Sequence, residues 1–525
     1  MTGTGTLLRF MLRRERRALP WWLLGTALLL LVQSAQSQNL YDTPQDLANL
    51  RQTIGGNTAV IAMSGPTALL ESIGGEVVFE ILGFLAIIVA LMNMFLVGRQ
   101  TRADEETGRA ELIRSARVGR RAPLIAALAL AGLADLTAGA LVFAVAAGTG
   151  LPIGGSALLG AAVTAVGVTF AALTAVAAQL FENARAVYGS VGTVLGAAYL
   201  LRAAGDAGDN GLSWLSPIGW AQQTLPYVAN RWWPLLVPLC LTVVLLAAAT
   251  VLLDRRDLGA GLVPARPGRP TASRALRGPF GLAWRLQRTA LISWVAGLAL
   301  LGAAYGSLGN SIEQYVRDNP EIADFLPGGA AGIADAYLAL TVAMAALLAA
   351  AYGVTSVLRV RAEETSGHAE PVLATATSRL TWLAGQLSVT LAGTAMALLA
   401  IGLGEGAAYA LTVSDPGQIP RLTGTALAYL PAVWVVAAGT VLAVGWLPRT
   451  AAALAWTLMG YCAVVALFAD SFDLPGWAQR ASPLAHTPRV PTEQLTLTPL
   501  ITLGAIAATL LALGYTGLRR RDIST

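Results

Sequence analysis

No lysine occurs anywhere in the 525 residues; every one of the 35 basic side chains is arginine. A phosphate-binding loop of the Gly-x4-Gly-Lys-Ser/Thr kind uses its lysine to reach the terminal phosphates while backbone amides cradle them. The chain therefore cannot carry that loop. Cysteine is nearly absent as well: Cys240 and Cys462 are the only two, and both fall inside apolar runs. No disulfide framework is implied. The two histidines, His368 and His486, have no cysteine or carboxylate pattern of a metal site around them. Charge is the third scarcity. Only 12% of residues are charged, against roughly 25% in an ordinary globular chain, which excludes a soluble protein of this size.

What fills the space is apolar: 55% of the residues are hydrophobic. A helix needs roughly 20 mostly apolar residues to cross the hydrocarbon core of a bilayer. Runs of that kind recur near 18–37, 76–97, 122–146, 156–178, 187–203 and 232–253, and again near 290–308, 336–357, 381–403, 422–446, 451–469 and 498–517. They do not alternate with period two, as strands of a membrane barrel would. The spacing predicts an all-α polytopic membrane protein of about twelve helices. The first run is too long for a signal peptide and lacks a small-residue cleavage site, so a retained span is expected.

Arginine sets the orientation. With a cytoplasmic N-terminus and alternating spans, 28 of the basic residues lie inside and seven outside. The positive-inside rule counts basic residues in short loops, and it predicts both termini on the cytoplasmic side. Arginine is then explained by orientation, leaving no case for nucleic-acid binding.

The chain repeats itself. Arg102-Ala103-Asp104-Glu105-Glu106-Thr107-Gly108-Arg109-Ala110-Glu111 follows the second run, and Arg361-Ala362-Glu363-Glu364-Thr365-Ser366-Gly367-His368-Ala369-Glu370 follows the eighth. An offset of 259 aligns them without a gap and also pairs Arg120 with Arg379. Arg16, Ala18, Leu19, Trp22 and Gly25 match Arg288, Ala290, Leu291, Trp294 and Gly297. Ser216-Pro217 matches Ser482-Pro483, and Arg255-Arg256-Asp257 matches Arg520-Arg521-Asp522. Six spans return the chain to its starting side, so the two halves are expected as parallel repeats about an axis along the membrane normal. The expected organisation is a six-helix half over 1–261, a linker over 262–279 and a second half over 280–525. The linker carries Pro264, Pro267, Pro270 and Pro279, a composition that suits an extended or mobile connection. Residues 7–17 mix Leu7, Leu8, Phe10, Met11 and Leu12 with arginines. An interfacial amphipathic helix and a plain basic topology determinant fit that segment equally.

In the first Glu-rich loop, Arg102 with Glu106 and Glu105 with Arg109 stand at i, i+4, a spacing that supports a short helix by a few tenths of a kcal/mol per pair. A single such loop would read as a solvated, charge-balanced turn. Its recurrence in the same slot favours docking to a partner with twofold character.

The pattern Arg-Ala-acid-Glu-x-x-Gly-x-Ala-Glu after the second span of each half resembles that of actinobacterial ATP-binding-cassette export permeases, in particular the fused permeases of the polyketide-antibiotic, tetronasin-type exporter class. The likeness extends over span number, tandem halves, loop motif and the terminal Arg-Arg-Asp. It implies a coupling helix in the first intracellular loop of each half, seated in a separate nucleotide-binding subunit. Carried over, Glu105, Glu106, Glu111, Glu363, Glu364 and Glu370 are the docking candidates, supported by Arg102 and Arg361. His368 and Pro371 depart from the first copy, so the two dockings need not be equivalent. The resemblance also implies two copies of the ATPase subunit, with ATP and Mg on that partner and no cofactor on this chain. The second and fifth spans of each half would line the path. The cargo would be a hydrophobic or amphipathic, drug-like molecule leaving the cytoplasm or inner leaflet of a bacterial plasma membrane.

Acids within spans are few, and such residues are functional hypotheses by default. Asp135 lies mid-span and Glu405 near an outer end; Thr394 stands in the slot of Asp135, so an ordinary interhelical hydrogen bond is an equal reading. Glu71, Glu76 and Glu80 sit at the outer entrance of the second span, with Asp335 in the matching slot. They read either as an acidic exit or as a water-facing helix end. Trp214, Trp220, Trp232, Trp233 and Trp477 read as an aromatic belt. A proton- or ion-coupled secondary transporter is the alternative function, and a membrane-embedded enzyme or assembly scaffold a third; no nucleophile, metal or paired-acid motif supports an enzyme.

Overall fold

The computed structural model describes residues 2–41, 44–54, 57–257, 259–263, 270–273, 276, 278–318, 329–468, 475–488, 490, 492 and 496–521. Pro264, Pro267 and Asp522 of the sequence landmarks lie outside them. Helix dominates and no strand occurs among the described residues. The chain divides into two compact units, Met1–Gly268 and Arg269–Thr525.

In the first unit a short helix α1 (Thr4–Glu15) leads into α2 (Leu19–Leu40) and then α3 (Ile73–Gln100). Two short helices follow, α4 (Arg102–Glu106) and α5 (Arg109–Arg114), and the unit closes with α6 (Ala122–Gly148), α7 (Ile153–Leu180), α8 (Ala184–Ala207) and α9 (Leu236–Arg255). Helix α3 is apolar on every side and is the most enclosed span of its unit, as expected of a helix with no stripe for water. Ser72 starts it by accepting the Gly75 amide at 3.0 Å, and Asn183 starts α8 in the same way from Ala186 at 2.8 Å. Such caps satisfy amides that the first turn leaves without helical partners. Helices α6 and α7 cross at Gly139 and Gly160, where a Cβ on either residue would collide with the other's carbonyl oxygen.

The second unit has α10 (Pro279–Asp318), α11 (Gly329–Thr365), the short α12 (Ala369–Leu373), α13 (Arg379–Val413), α14 (Gln418–Ala428), α15 (Leu430–Trp446), α16 (Ala451–Phe468) and α17 (Leu497–Arg520). Its longest packing seam joins α10 and α13. Gly302 and Gly306 on α10 and Gly404 on α13 bring the two backbones into contact; a Cβ at any of the three would strike a carbonyl across the seam. In lipid, helices gain nothing from hydrophobic segregation, and small residues that allow close backbone approach supply the association instead. Gly445 and Gly514 play the same part between α15 and α17. Pro431, which has no N–H to give, follows the break at Tyr429 that separates α14 from α15.

Ten helices among the described residues are long and apolar enough to span a bilayer. The runs expected near 187–203 and 451–469 do form helices, α8 and α16. The first is diluted by Gly189, Ser190, Gly192, Thr193 and Arg202, and the second is short.

Candidate functional site

The first Glu-rich loop folds as two short helices, and the second as the last turn of α11 followed by the short α12, but their charges go elsewhere than expected. Arg102 reaches Glu105 at 2.7 Å, one residue nearer than i+4. Helix α4 ends at Glu106, and Gly108, at φ +72°, turns the chain before α5. Arg109 is thereby carried toward Asp104, at 3.6 Å, rather than toward Glu105. The i, i+4 pairs are replaced by contacts of far longer range. Arg256, just beyond α9, grips both carboxylate oxygens of Glu105 at 2.5 and 2.8 Å. Its Nε donates to Gln179 Oε1 at 2.7 Å. Arg102 is wholly buried and gives its second nitrogen to the Ala260 carbonyl at 2.9 Å. Arg120 donates to the carbonyl of Arg256 at 2.7 Å. A guanidinium fork matched to a carboxylate is both strong and orientation-specific.

The second unit repeats the arrangement. Arg361 donates to Glu364 at 3.1 Å, and Arg521, just beyond α17, donates to both oxygens of the same carboxylate at 2.7 and 2.8 Å. Arg379 donates to the Arg521 carbonyl at 2.7 Å. In each unit, then, one glutamate of the motif is clasped between the loop's own arginine and an arginine from the end of the last helix.

This arrangement divides the expected docking set. Glu105 and Glu364 are engaged inside their units, the latter fully buried. Glu363 faces Arg359 at 3.5 Å and His368 at 3.8 Å. Glu106 accepts the Ala184 amide at 2.8 Å, at the start of α8, where the helix dipole favours an anion. Glu111 and Glu370 stay exposed, and beside Glu111 the side chain of Leu112 is 75% exposed.

The acids inside the helices are buried and polar-bonded. Asn93 of α3 donates to Asp135 of α6 at 2.7 Å, and the Asp135 carbonyl accepts from Thr164 of α7 at 3.2 Å. Glu405 of α13 accepts from Thr341 of α11 at 2.7 Å. Each leaves one carboxyl oxygen buried without a partner. The outer acids differ in their surroundings. Glu71 lies exposed, 3.8 Å from Arg51, while Glu76 is buried with Ser37 as its hydrogen-bond partner, and Glu80 is half-buried. Asp335 is paired with Arg421 at 2.6 Å. Thr394, in the slot of Asp135, accepts from the Trp434 indole at 3.1 Å.

A protein-family model described as "Multidrug efflux system permease Rv1217c, C-terminal domain" matches residues 5–253 and 276–519. The "Multidrug efflux system permease protein Rv1217c" of Mycobacterium tuberculosis is 41% identical over 526 residues, which is 99% of this chain and 95% of the relative. The chain belongs to this multidrug efflux permease family. The permease is a multi-pass bacterial membrane protein, as its apolar helices require.

Other expectations for the permease resolve at the level of single side chains. Trp232, Trp233 and Trp477 are exposed, as a belt residue should be, but Trp220 is buried and donates to the Trp214 carbonyl. Trp214 stacks on Trp233 with ring centres 5.1 Å apart. His368 and His486 are both exposed, His486 on the Arg480 carbonyl at 2.7 Å. No cluster of three metal-ligating residues occurs among the described residues. Sequence reasoning missed Arg256 and Arg521 as partners of the loops, although both stood in a repeated landmark. It also missed Asn93 and Thr341, which nothing in the sequence singles out.

Proposed function

We propose that the permease is the membrane subunit of an ATP-driven exporter of hydrophobic or amphipathic drug-like molecules. In this reading the segments α4–α5 and the Glu364–Leu373 stretch are cytoplasmic coupling elements for two copies of a separate ATPase, which carries the ATP and Mg. The supporting observation is the recurrence, 259 residues apart, of a short helix after a long apolar one. In both copies one motif acid is clasped inward and another faces out. An inward clasp fixes the loop's geometry, and the outward residues Glu111, Leu112 and Glu370 are left for a partner. With no lysine for a phosphate loop, the energy source has to reside on another chain if ATP drives transport. The cytoplasmic placement of both termini and the tandem-repeat organisation belong to the same proposal.

Coupling of this kind requires the ATPase to hold the loops differently in its nucleotide-bound and free states, because a ligand shifts an equilibrium only by its differential affinity for the two conformations. The test is co-expression with a stand-alone ATPase encoded beside the permease. The combined substitutions Glu111→Arg, Leu112→Asp and Glu370→Arg should abolish co-purification while leaving the permease folded. Normal co-purification of that variant would refute the docking surface. Failure of any ATPase to associate with the native chain would move an ion-coupled mechanism to first place.

A further inference from the structure

Each clasp joins a motif glutamate to an arginine beyond the last helix, through both terminal nitrogens of Arg256 but through one nitrogen of Arg521, and the loops they hold are not equally anchored. In the first unit α1 joins in. Arg14 donates to both oxygens of Asp104 at 2.7 and 2.9 Å. Glu15, buried at the end of α1, is held by Arg99 at 2.8 Å and Gln100 at 2.6 Å, both from the last turn of α3. The first loop is thus tied to α1 as well as to the end of α9. In the second unit, Leu286 and Gln287 stand where the offset of 272 places Arg14 and Glu15. Gln287 makes neutral bonds to Gln386 at 2.6 Å and Ser356 at 2.5 Å, below the loop rather than to it. Glu363, in the slot of Asp104, turns to Arg359 on its own helix. Among the described residues, the one ion pair that ties the second loop to another element is Arg521 with Glu364.

We infer that Arg256 and Arg521 are positioning residues that make each loop move with the last helix of its unit, and that the second loop, packed through Ala369 against Trp382 and Leu518, has its clasp as its one ionic tie. The inference rests on the coupling role proposed above. A loop displaced by a partner would then carry α17 with it through one guanidinium nitrogen shared by both oxygens of Glu364, whereas the first loop would still be carried through α1 if Arg256 were lost. Flexible attachment at either point would dissipate the displacement before it reached the helices. The two sites would therefore respond unequally to equivalent damage.

The experiment uses the full-length permease with Cys240 and Cys462 replaced, and nitroxide labels on Ser366→Cys with Thr516→Cys, or on Thr107→Cys with Val251→Cys. Distances within each pair are read by double electron–electron resonance, with and without the ATPase trapped by ATP and vanadate. Both native pairs should keep one sharp distance in both states. R521Q should broaden the second pair and lower nucleotide-dependent coupling by about tenfold. R256Q should leave the first pair sharp, because Arg14 still holds Asp104. R521K keeps one charged nitrogen for Glu364 but not the planar guanidinium that aims it, so it should fall between native and R521Q. A merely structural arginine would instead change thermal stability without this graded response. Unchanged distances in R521Q, or a native pair that separates on trapping, would overturn the inference. If no ATPase binds the native chain, the coupling reading fails, yet the R521Q comparison on the permease alone still decides whether the clasp holds the loop.

Discussion

Arg102 is among the largest side chains that the fold buries completely, and its Nε has no partner. A charge in that position persists only because Glu105 and the Ala260 carbonyl compensate it. Removing one member of a buried pair typically costs about 3–5 kcal/mol, since the other charge is left uncompensated. Glu105→Ala should therefore lower the thermal midpoint of the purified permease sharply, and Glu111→Ala, on an exposed residue of α5, should hardly move it. Comparison of the two melting curves checks this. Asp135 invites a different test. Asn93 donates to it, so Asp135→Asn can keep a hydrogen bond in that place, whereas Asp135→Leu strands a buried amide at a cost of about 1–3 kcal/mol. The expected order of stability is native, then Asn, then Leu. If Asn preserves the fold but abolishes efflux, the carboxyl has a transport role beyond the bond.

At the scale of elements, the seam between α10 and α13 is the part of the second unit most sensitive to volume. Gly302, Gly306 and Gly404 leave no room for a side chain between the backbones. Gly306→Val should separate the helices and cost about 1–3 kcal/mol, read as loss of folded protein in fluorescence-detected size exclusion. Gly297→Ala, on the same helix but with open space around it, should be neutral. Apolar runs of bilayer length make these helices legible in the sequence, because the bilayer imposes a length and a composition that few other environments demand. The clasp was not legible for the opposite reason. Nothing local announces that Arg102 will choose Glu105 over Glu106, since distant groups sort the two carboxylates: Arg256 holds Glu105 and the Ala184 amide donates to Glu106. The partners Arg256 and Arg521 lie 151 and 157 residues away from their glutamates, and the Arg-Arg-Asp landmark read as a mark of the repeat. Helix–helix polar pairs such as Asn93 with Asp135 have no sequence signature either, because the contact depends on which faces meet.

On the scale of the whole molecule, each compact unit holds its own loop, its own clasp and its own apolar core. Residues Met1–Gly268 expressed alone should therefore insert, resist limited proteolysis and unfold cooperatively. A first half that is cleaved throughout its helices would show that the unit's internal contacts do not suffice.

The reach of the clasps carries a consequence for synthesis. Each loop emerges from the ribosome long before the arginine that will hold it, roughly 150 residues earlier in both units. Until the last helix of the unit has been inserted and its end has folded back, the glutamate has only its neighbouring arginine. In the first unit Arg14, made earlier, already holds Asp104; a nascent second half therefore presents the less settled loop, so that assembly with a partner there would be gated by completion of the membrane bundle itself.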